Sequence, residues 1–273
     1  MGAKLSLLIV DPQNDFCDPR GSLYVKGAEE DMLRLSDAVR RLKDRWERIH
    51  VTLDTHHLVD VGHPIFWIDP EGNHPKPFTI ITVEDVENGR WSPSERLLRD
   101  RMLGYVRALH ENGRYPLTIW PPHCLIGSWG HNVFEPLHKA LLEWEKGYAM
   151  VEYAQKAFNP YTEHYSVIQA DVPDESDPST LPNRRLIEAV RDAETVVVAG
   201  EALSHCVANT MRDIAIHLGE KGVRKFVLLR DCTSPVAGFK AEADLFLKDA
   251  IRMGVQVTDS TELFREARRT GTG

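Results

Sequence analysis

Two apolar runs of strand length, Leu5 to Val10 and Ile49 to Leu53, bracket a helical stretch that carries Leu33, Leu35, Val39, Leu42 and Trp46 on its apolar side. This β-α-β beginning constrains the fold more than any other feature of the chain. The alternation continues. Strand-like runs follow at Leu117 to Trp120, Ala149 to Glu152, Thr195 to Ala199 and Phe226 to Leu229, and helical stretches at Glu135 to Lys146, Asn183 to Arg191, Ser204 to Leu218 and Lys240 to Met253. The expectation is an α/β protein of three layers, αβα, with a central, mostly parallel sheet and helices on both faces.

A chain of 273 residues is long enough to bury one large core. No internal repeat or low-complexity linker divides it, so a single domain over 1–273 is expected. One stretch is irregular. Between His63 and Trp120 the chain is rich in Pro and Gly around a helix predicted over Ser94 to His110, so about 64–119 reads as an elaboration of a crossover.

Acidic residues outnumber basic ones by 41 to 33, and no Lys/Arg-rich block offers a stripe that could track phosphates. Nucleic acid and anionic membrane are therefore excluded as expected partners. The longest apolar runs are strand-sized, and no charged segment followed by an apolar one opens the chain, so a cytoplasmic location is expected. The four cysteines, Cys17, Cys124, Cys206 and Cys232, lie far apart without CxxC spacing, which suggests neither a disulfide scaffold nor a thiolate zinc site. A functional cysteine here must owe its function to its surroundings.

In parallel sheets ligands bind outside the carboxyl ends of the strands, so polar residues directly after strand runs come first. In LLIVDPQNDFC, Asp11 follows the first run and Pro12 stops its continuation. Taken alone, Asp11 fits an Asp bonding its own turn as well as a functional carboxylate. In VVVAGEALSHCVANTMRDIAIHLG, a strand run, a turn at Gly200 and a helix start place Cys206 in the first helical turn. A helix N-terminus favours a thiolate and offers free N–H groups to an oxyanion. Packing alone explains such a cysteine equally well.

The run VTLDTHHLVDVGHP places Asp54 and His56 two apart, on one side of an extended chain, with His63 across a short loop, and IWPPHC delivers His123 behind two prolines. Mixed Asp and His donors suit a divalent metal ion such as zinc, manganese or iron. A merely solvated, histidine-rich loop is the alternative. His57, His74 and His131 compete for ligand places, with His57 ranked lower because it points away from His56 in a strand.

Taken in order, VDPQNDFC, DTHH with GHP, WPPHC, YAQKAFNPYTEHYS and GEALSHCV resemble the nicotinamidase branch of the isochorismatase-like cysteine hydrolases over nearly the entire chain. The resemblance implies a catalytic triad of Asp11, Lys156 and Cys206, and a divalent metal, zinc first, on Asp54, His56, His63 and His123. It implies ring-stacking residues at Phe16 and Trp120 and a pocket-lining Tyr165, the last on looser spacing. It implies an oxyanion hole from the N–H groups of Ala202 and Cys206, with a cis peptide between Glu201 and Ala202. The stretch between His63 and His123 and the segment after Tyr165, about 166–183, are longer than in compact members of the family, which bears on the substrate rather than the chemistry.

The implied activity is release of ammonia from a small amide, nicotinamide to nicotinic acid, by attack of Cys206 with Asp11 as base, in pyridine nucleotide salvage. A homo-oligomer is expected. The alternatives are an amidase acting on a ureide, carbamoyl or maleamate-type amide, for which a metal is unnecessary, and a catalytically silent binding or assembly subunit.

Overall fold

The structure, a computed structural model, describes residues 4–270, so the extreme ends of the expected 1–273 domain lie outside the described residues. Six strands form one sheet: β1 (Leu5–Val10), β2 (Trp46–Asp54), β3 (Glu152–Lys156), β4 (Val196–Gly200), β5 (Phe226–Leu229) and β6 (Gln256–Thr258). Their spatial order is β6-β5-β4-β1-β2-β3, and every pairing is parallel. Strands β1, β4 and β5 are buried along their whole length, which is why they read as continuous apolar runs rather than alternating ones.

The main helices are α1 (Ala28–Arg41), α2 (Arg99–Glu111), α3 (Glu135–Glu145), α4 (Arg184–Asp192), α5 (Ala208–Val223), α6 (Lys240–Arg252) and α7 (Ser260–Thr270). Helix α1 buries Met32, Leu35 and Val39 and carries Glu29, Glu30 and Asp31 in its first turn and Arg40 and Arg41 in its last, as the helix dipole favours. Leu33, expected on its apolar side, is exposed, and Trp46 opens β2 instead of closing the helix. Met32 takes the core-facing place because helical spacing aligns it with Leu35 and Val39.

The crossovers fix where a ligand can sit. From β1 through α1 to β2 and through α3 to β3 the chain steps one way across the sheet; from β4 through α5 to β5 and through α6 to β6 it steps the other. Right-handed crossovers therefore place α1 and α3 on one face and α5 and α6 on the opposite one. In agreement, α1 packs on α3 and α7, and α4 packs on α5. The direction reverses between the adjacent strands β1 and β4, which opens a crevice at their carboxyl ends.

Two strand expectations are corrected. The run Leu117 to Trp120 does not join the sheet: only Leu117–Thr118 is a strand, and it pairs antiparallel with Ile80–Ile81. Its apolar side chains serve a second, smaller core, in which Leu117 and Ile119 pack with Trp67, Ile81, Met102 and Tyr105 of the elaborated segment. An apolar run reports that it is buried, not in which core. Strand β3 lies at Glu152–Lys156 instead of Ala149 to Glu152, because this edge strand carries Glu152, Gln155 and Lys156 and so has no apolar signature. That shift places Lys156 at the strand's carboxyl end, directly opposite Asp54 in the register of β2 with β3.

Candidate active site

Asp11 leaves β1 with a positive φ of 43°, a left-handed conformation that Asp tolerates better than most residues. Its N–H donates to the Thr52 hydroxyl at 2.9 Å, and that hydroxyl donates back to Asp11 Oδ1. The carboxylate is thus aimed by β2 and is fully buried. From β3, the Lys156 ammonium reaches Asp11 Oδ2 at 3.1 Å, Asp54 Oδ1 at 2.7 Å and Cys206 Sγ at 3.8 Å. Cys206 stands in a wide, π-type helical turn (Leu203–Val207) between β4 and α5. Three strand ends therefore deliver the three expected triad members to one point.

The charges are set by burial against pairing. Burial works against the Lys156 charge, but Asp11 and Asp54 outweigh it and hold the ammonium well above its usual range. Burial raises Asp11, and Lys156 offsets part of that rise. Burial also pushes the Cys206 thiol well up; Lys156 opposes this, but Asp11 and Asp54 add to it. These influences act against the thiolate that the helix start was expected to favour. Asp11 Oδ2 is buried and accepts no well-aligned hydrogen bond, with the Lys156 ammonium 3.1 Å away.

The peptide bond between Glu201 and Ala202 is cis, as the resemblance implied. The Ala202 N–H donates to no protein acceptor among the described residues. A small cavity opens over Cys206, lined by Phe16, Asp54, Trp120, Tyr165, Ala202 and His205. Tyr165, placed there only loosely by spacing, accepts a hydrogen bond from Trp120 Nε1 at 3.0 Å and belongs to the wall. A wider open groove lined by Trp129, His131 and Tyr153 contains none of these reactive groups.

Asp54 and His123, which also line the cavity, join His56 in a cluster whose donor atoms lie within 4.8 Å of one another, all buried. The donor set fits a divalent metal for a reason visible in the hydrogen bonds. His56 Nδ1 meets Asp60 at 3.0 Å, His123 Nδ1 meets the Pro121 carbonyl at 2.9 Å and His63 Nδ1 meets the Leu58 carbonyl at 3.1 Å, so each ring turns Nε2 outward as a ligand. His63 stands beside the cluster, its ring 5.2 Å from His56 and 5.4 Å from His123, and its Nε2 is buried without a partner. Burial lowers the His63 pKa to about 4, keeping the neutral form that a metal requires. The competitors fall away: His57 and His74 are exposed, and His131 bonds the Thr55 hydroxyl at 3.2 Å.

Three residues escaped the motifs. Thr52 orients Asp11, Asp60 orients His56, and Glu163 lines the cavity with a buried Oε1 that has no partner. Burial, with Asp60 adding, raises the Glu163 carboxyl well above its usual range. Thr52 and Asp60 had a faint signal, lying two residues before Asp54 and four after His56, but nothing in the string TEHYS distinguishes Glu163.

With a parallel αβα fold, a buried Asp, Lys and Cys at its switch point and an Asp–His cluster alongside, the chain is similar in sequence and in fold to nicotinamidases. The nicotinamidase of Saccharomyces cerevisiae is 28% identical over 234 residues, spanning 85% of this chain and 88% of the relative. The solved structure of the yeast nicotinamidase superposes with a TM-score of 0.65 over 93% of this chain and 99% of that one, at 22% identity in the structural alignment. A nicotinamidase/pyrazinamidase of Acinetobacter baumanii superposes with a TM-score of 0.64 at 20% identity, over 95% of this chain and 98% of that one. A pyrazinamidase of Pyrococcus horikoshii in complex with zinc does so with 0.54 at 18%, over 94% and 99%. No protein-family model matches the chain.

Proposed function

We propose that this protein hydrolyses nicotinamide to nicotinic acid and ammonia, with Cys206 as nucleophile, Asp11 as base and Lys156 as the cation that holds the pair. The observation that carries this reading is the convergence of Lys156 Nζ on Asp11, Asp54 and Cys206 beneath a small aromatic-walled cavity. Relatives named nicotinamidase and pyrazinamidase support an aromatic carboxamide as the substrate.

In this mechanism Asp11 takes the thiol proton as Cys206 Sγ bonds to the amide carbon, and the carbonyl oxygen becomes an oxyanion facing the Ala202 and Cys206 N–H groups. The C–N bond breaks as Asp11 returns the proton to the leaving nitrogen, giving ammonia and a thioester. Asp11 then takes a proton from water as the water oxygen attacks, the C–S bond breaks, and the thiol is restored with that proton. Phe16 and Trp120 sandwich the ring, and Tyr165 closes the wall. Asp54, His56 and His123, with His63 beside them, would hold a divalent ion, zinc by the nature of the donors, which supplies a Lewis-acidic point for a ring nitrogen or a water.

The reading extends to one hydrolase domain elaborated at about 64–119, a homo-oligomer, a cytoplasmic location and a place in pyridine nucleotide salvage. No described helix is long and apolar enough to cross a membrane. The test is an ammonia-release assay with nicotinamide, pyrazinamide, biuret and maleamate, with and without chelator. Turnover of nicotinamide and pyrazinamide that falls with chelator supports the reading; turnover of biuret or maleamate alone refutes it.

A further inference from the structure

Next to the segment that carries Ala202, two acidic side chains meet in the core. Glu201 is fully buried and Asp31, on α1, is 3% exposed. Both carboxyl groups converge on Ser234, and Asp31 is the charged group that acts most strongly on Glu201. Asp31 accepts from the Arg34 guanidinium at 2.6 Å and from the Ser234 hydroxyl at 2.5 Å. Glu201 Oε2 accepts from the Ser234 N–H at 3.0 Å, while its Oε1 has no donor among the described residues.

Two buried carboxylates that converge on one residue repel, and a buried acceptor left without a donor is costly. One proton between the two groups removes both penalties. Asp31 is already occupied by a guanidinium and a hydroxyl, so the proton belongs to Glu201. Burial first, and then Asp31, push the Glu201 carboxyl well above its usual range. Arg230 and Cys17 also interact with Glu201, Cys17 and Cys232 with Asp31, and Cys232 and Asp231 with Arg34.

Ser234 completes the arrangement. Its N–H is held by Glu201, its hydroxyl by Asp31, and its carbonyl accepts from the Leu203 N–H at 2.9 Å. Residue 234 therefore grips both neighbours of Ala202, and the Glu201 N–H is tied to the Val10 carbonyl at 2.7 Å. Only the Ala202 N–H between them is left free of a protein acceptor.

We propose that Asp31, Glu201 and Ser234 form a clamp of positioning residues, closed by one proton shared between the two carboxyl groups, that holds the Ala202 N–H toward the oxyanion formed at Cys206. The clamp rests on the amide-hydrolase reading above. It adds residues that do not touch the substrate.

The test compares wild type, Glu201→Gln and Glu201→Leu in ammonia release from nicotinamide, with thermal melting to establish folding. Affinities for nicotinate and for nicotinaldehyde are measured in parallel. The aldehyde carbon bonds to the Cys206 sulfur while its oxygen occupies the oxyanion position, so it reports on the clamp, whereas nicotinate binding does not require that oxygen. Glu201→Leu is expected to lower kcat about tenfold or more with KM within about twofold, and to weaken nicotinaldehyde by a similar factor while leaving nicotinate unchanged. Glu201→Gln donates to Asp31 and accepts from Ser234, so it is expected to keep kcat within about threefold of wild type.

If Glu201→Leu does not fold, the double variant Asp31→Leu with Glu201→Leu replaces it, since neither carboxyl is then left unpaired. The same kcat loss is expected, because the Ser234 N–H again lacks its acceptor. Full kcat in the Leu variant, or damage in Glu201→Gln equal to that in Glu201→Leu, overturns the clamp. A wild type that releases no ammonia from any amide overturns the hydrolase reading itself and removes the clamp's purpose with it.

Discussion

Lys156 Nζ lies 2.7 Å from Asp54 Oδ1, while the other oxygen of that carboxylate faces His56 Nε2 at 3.0 Å and His123 Nε2 at 3.5 Å. A single carboxylate thus joins the proposed triad to the proposed metal site. Lys156 is also the cation that separates Asp11 from Asp54, so its removal leaves two buried carboxylates facing each other. Lys156→Met is expected to destabilise the fold by about 3–5 kcal/mol and to abolish turnover. Urea unfolding and an ammonia assay check both effects; a stability within about 1 kcal/mol of wild type would show that the ion pairs are structurally idle.

Cys206→Ala should reduce turnover at least about 10⁴-fold, since the other groups act only through the nucleophile. The melting temperature and bound metal should stay near wild type, because the thiol makes no ligand bond in the proposed site. Near-normal amidase activity in this variant refutes the assignment of the nucleophile.

His56→Ala and His123→Ala should each lower the bound divalent ion measured by elemental analysis. Asp60→Asn should weaken its affinity about 10-fold or more, because Asp60 fixes the orientation of His56. Unchanged metal stoichiometry in both histidine variants sinks the ligand set. His63→Ala distinguishes a fourth ligand from a neighbour: loss of metal makes it a ligand, retention a bystander.

Asp171 offers a pH-dependent test away from the proposed metal site. Burial raises its pKa to about 6, with Arg114 at 3.6 Å opposing, from an ordinary value of 3.8. The folded state therefore holds this proton more tightly than the unfolded chain does, so stability is lost as pH rises from about 4 to about 6, and the loss persists above that window. Asp171→Asn lacks this contribution. Relative to the variant, wild type should lose roughly 2 kcal/mol between pH 4.5 and 7, as measured by urea unfolding at each pH. A pH-independent difference between the two proteins contradicts the raised pKa.

The layered sheet was legible because β1, β4 and β5 bury both faces and leave uninterrupted apolar runs, while the motifs marked Asp11, Asp54 and Cys206 at strand ends. Lys156 was legible only through family resemblance: its strand is an edge, alternately wet and dry, and a buried lysine has the same letter as a surface one. Glu163 and the Asp31–Glu201 pair were invisible for a related reason. Their roles depend on partners that the chain brings close in space but not in sequence, 170 positions apart for Asp31 and Glu201.

The Trp120 N–H donates to the Gly62 carbonyl at 2.7 Å, which fastens together the two ends of the elaborated segment, and the segment fills a small core of its own. A loop whose ends are stapled can lengthen or shorten at little entropic cost. Evolution could therefore trade one such segment for another as a cassette, retailoring the wall on which Trp120 hangs while leaving the foundation beneath it unaltered.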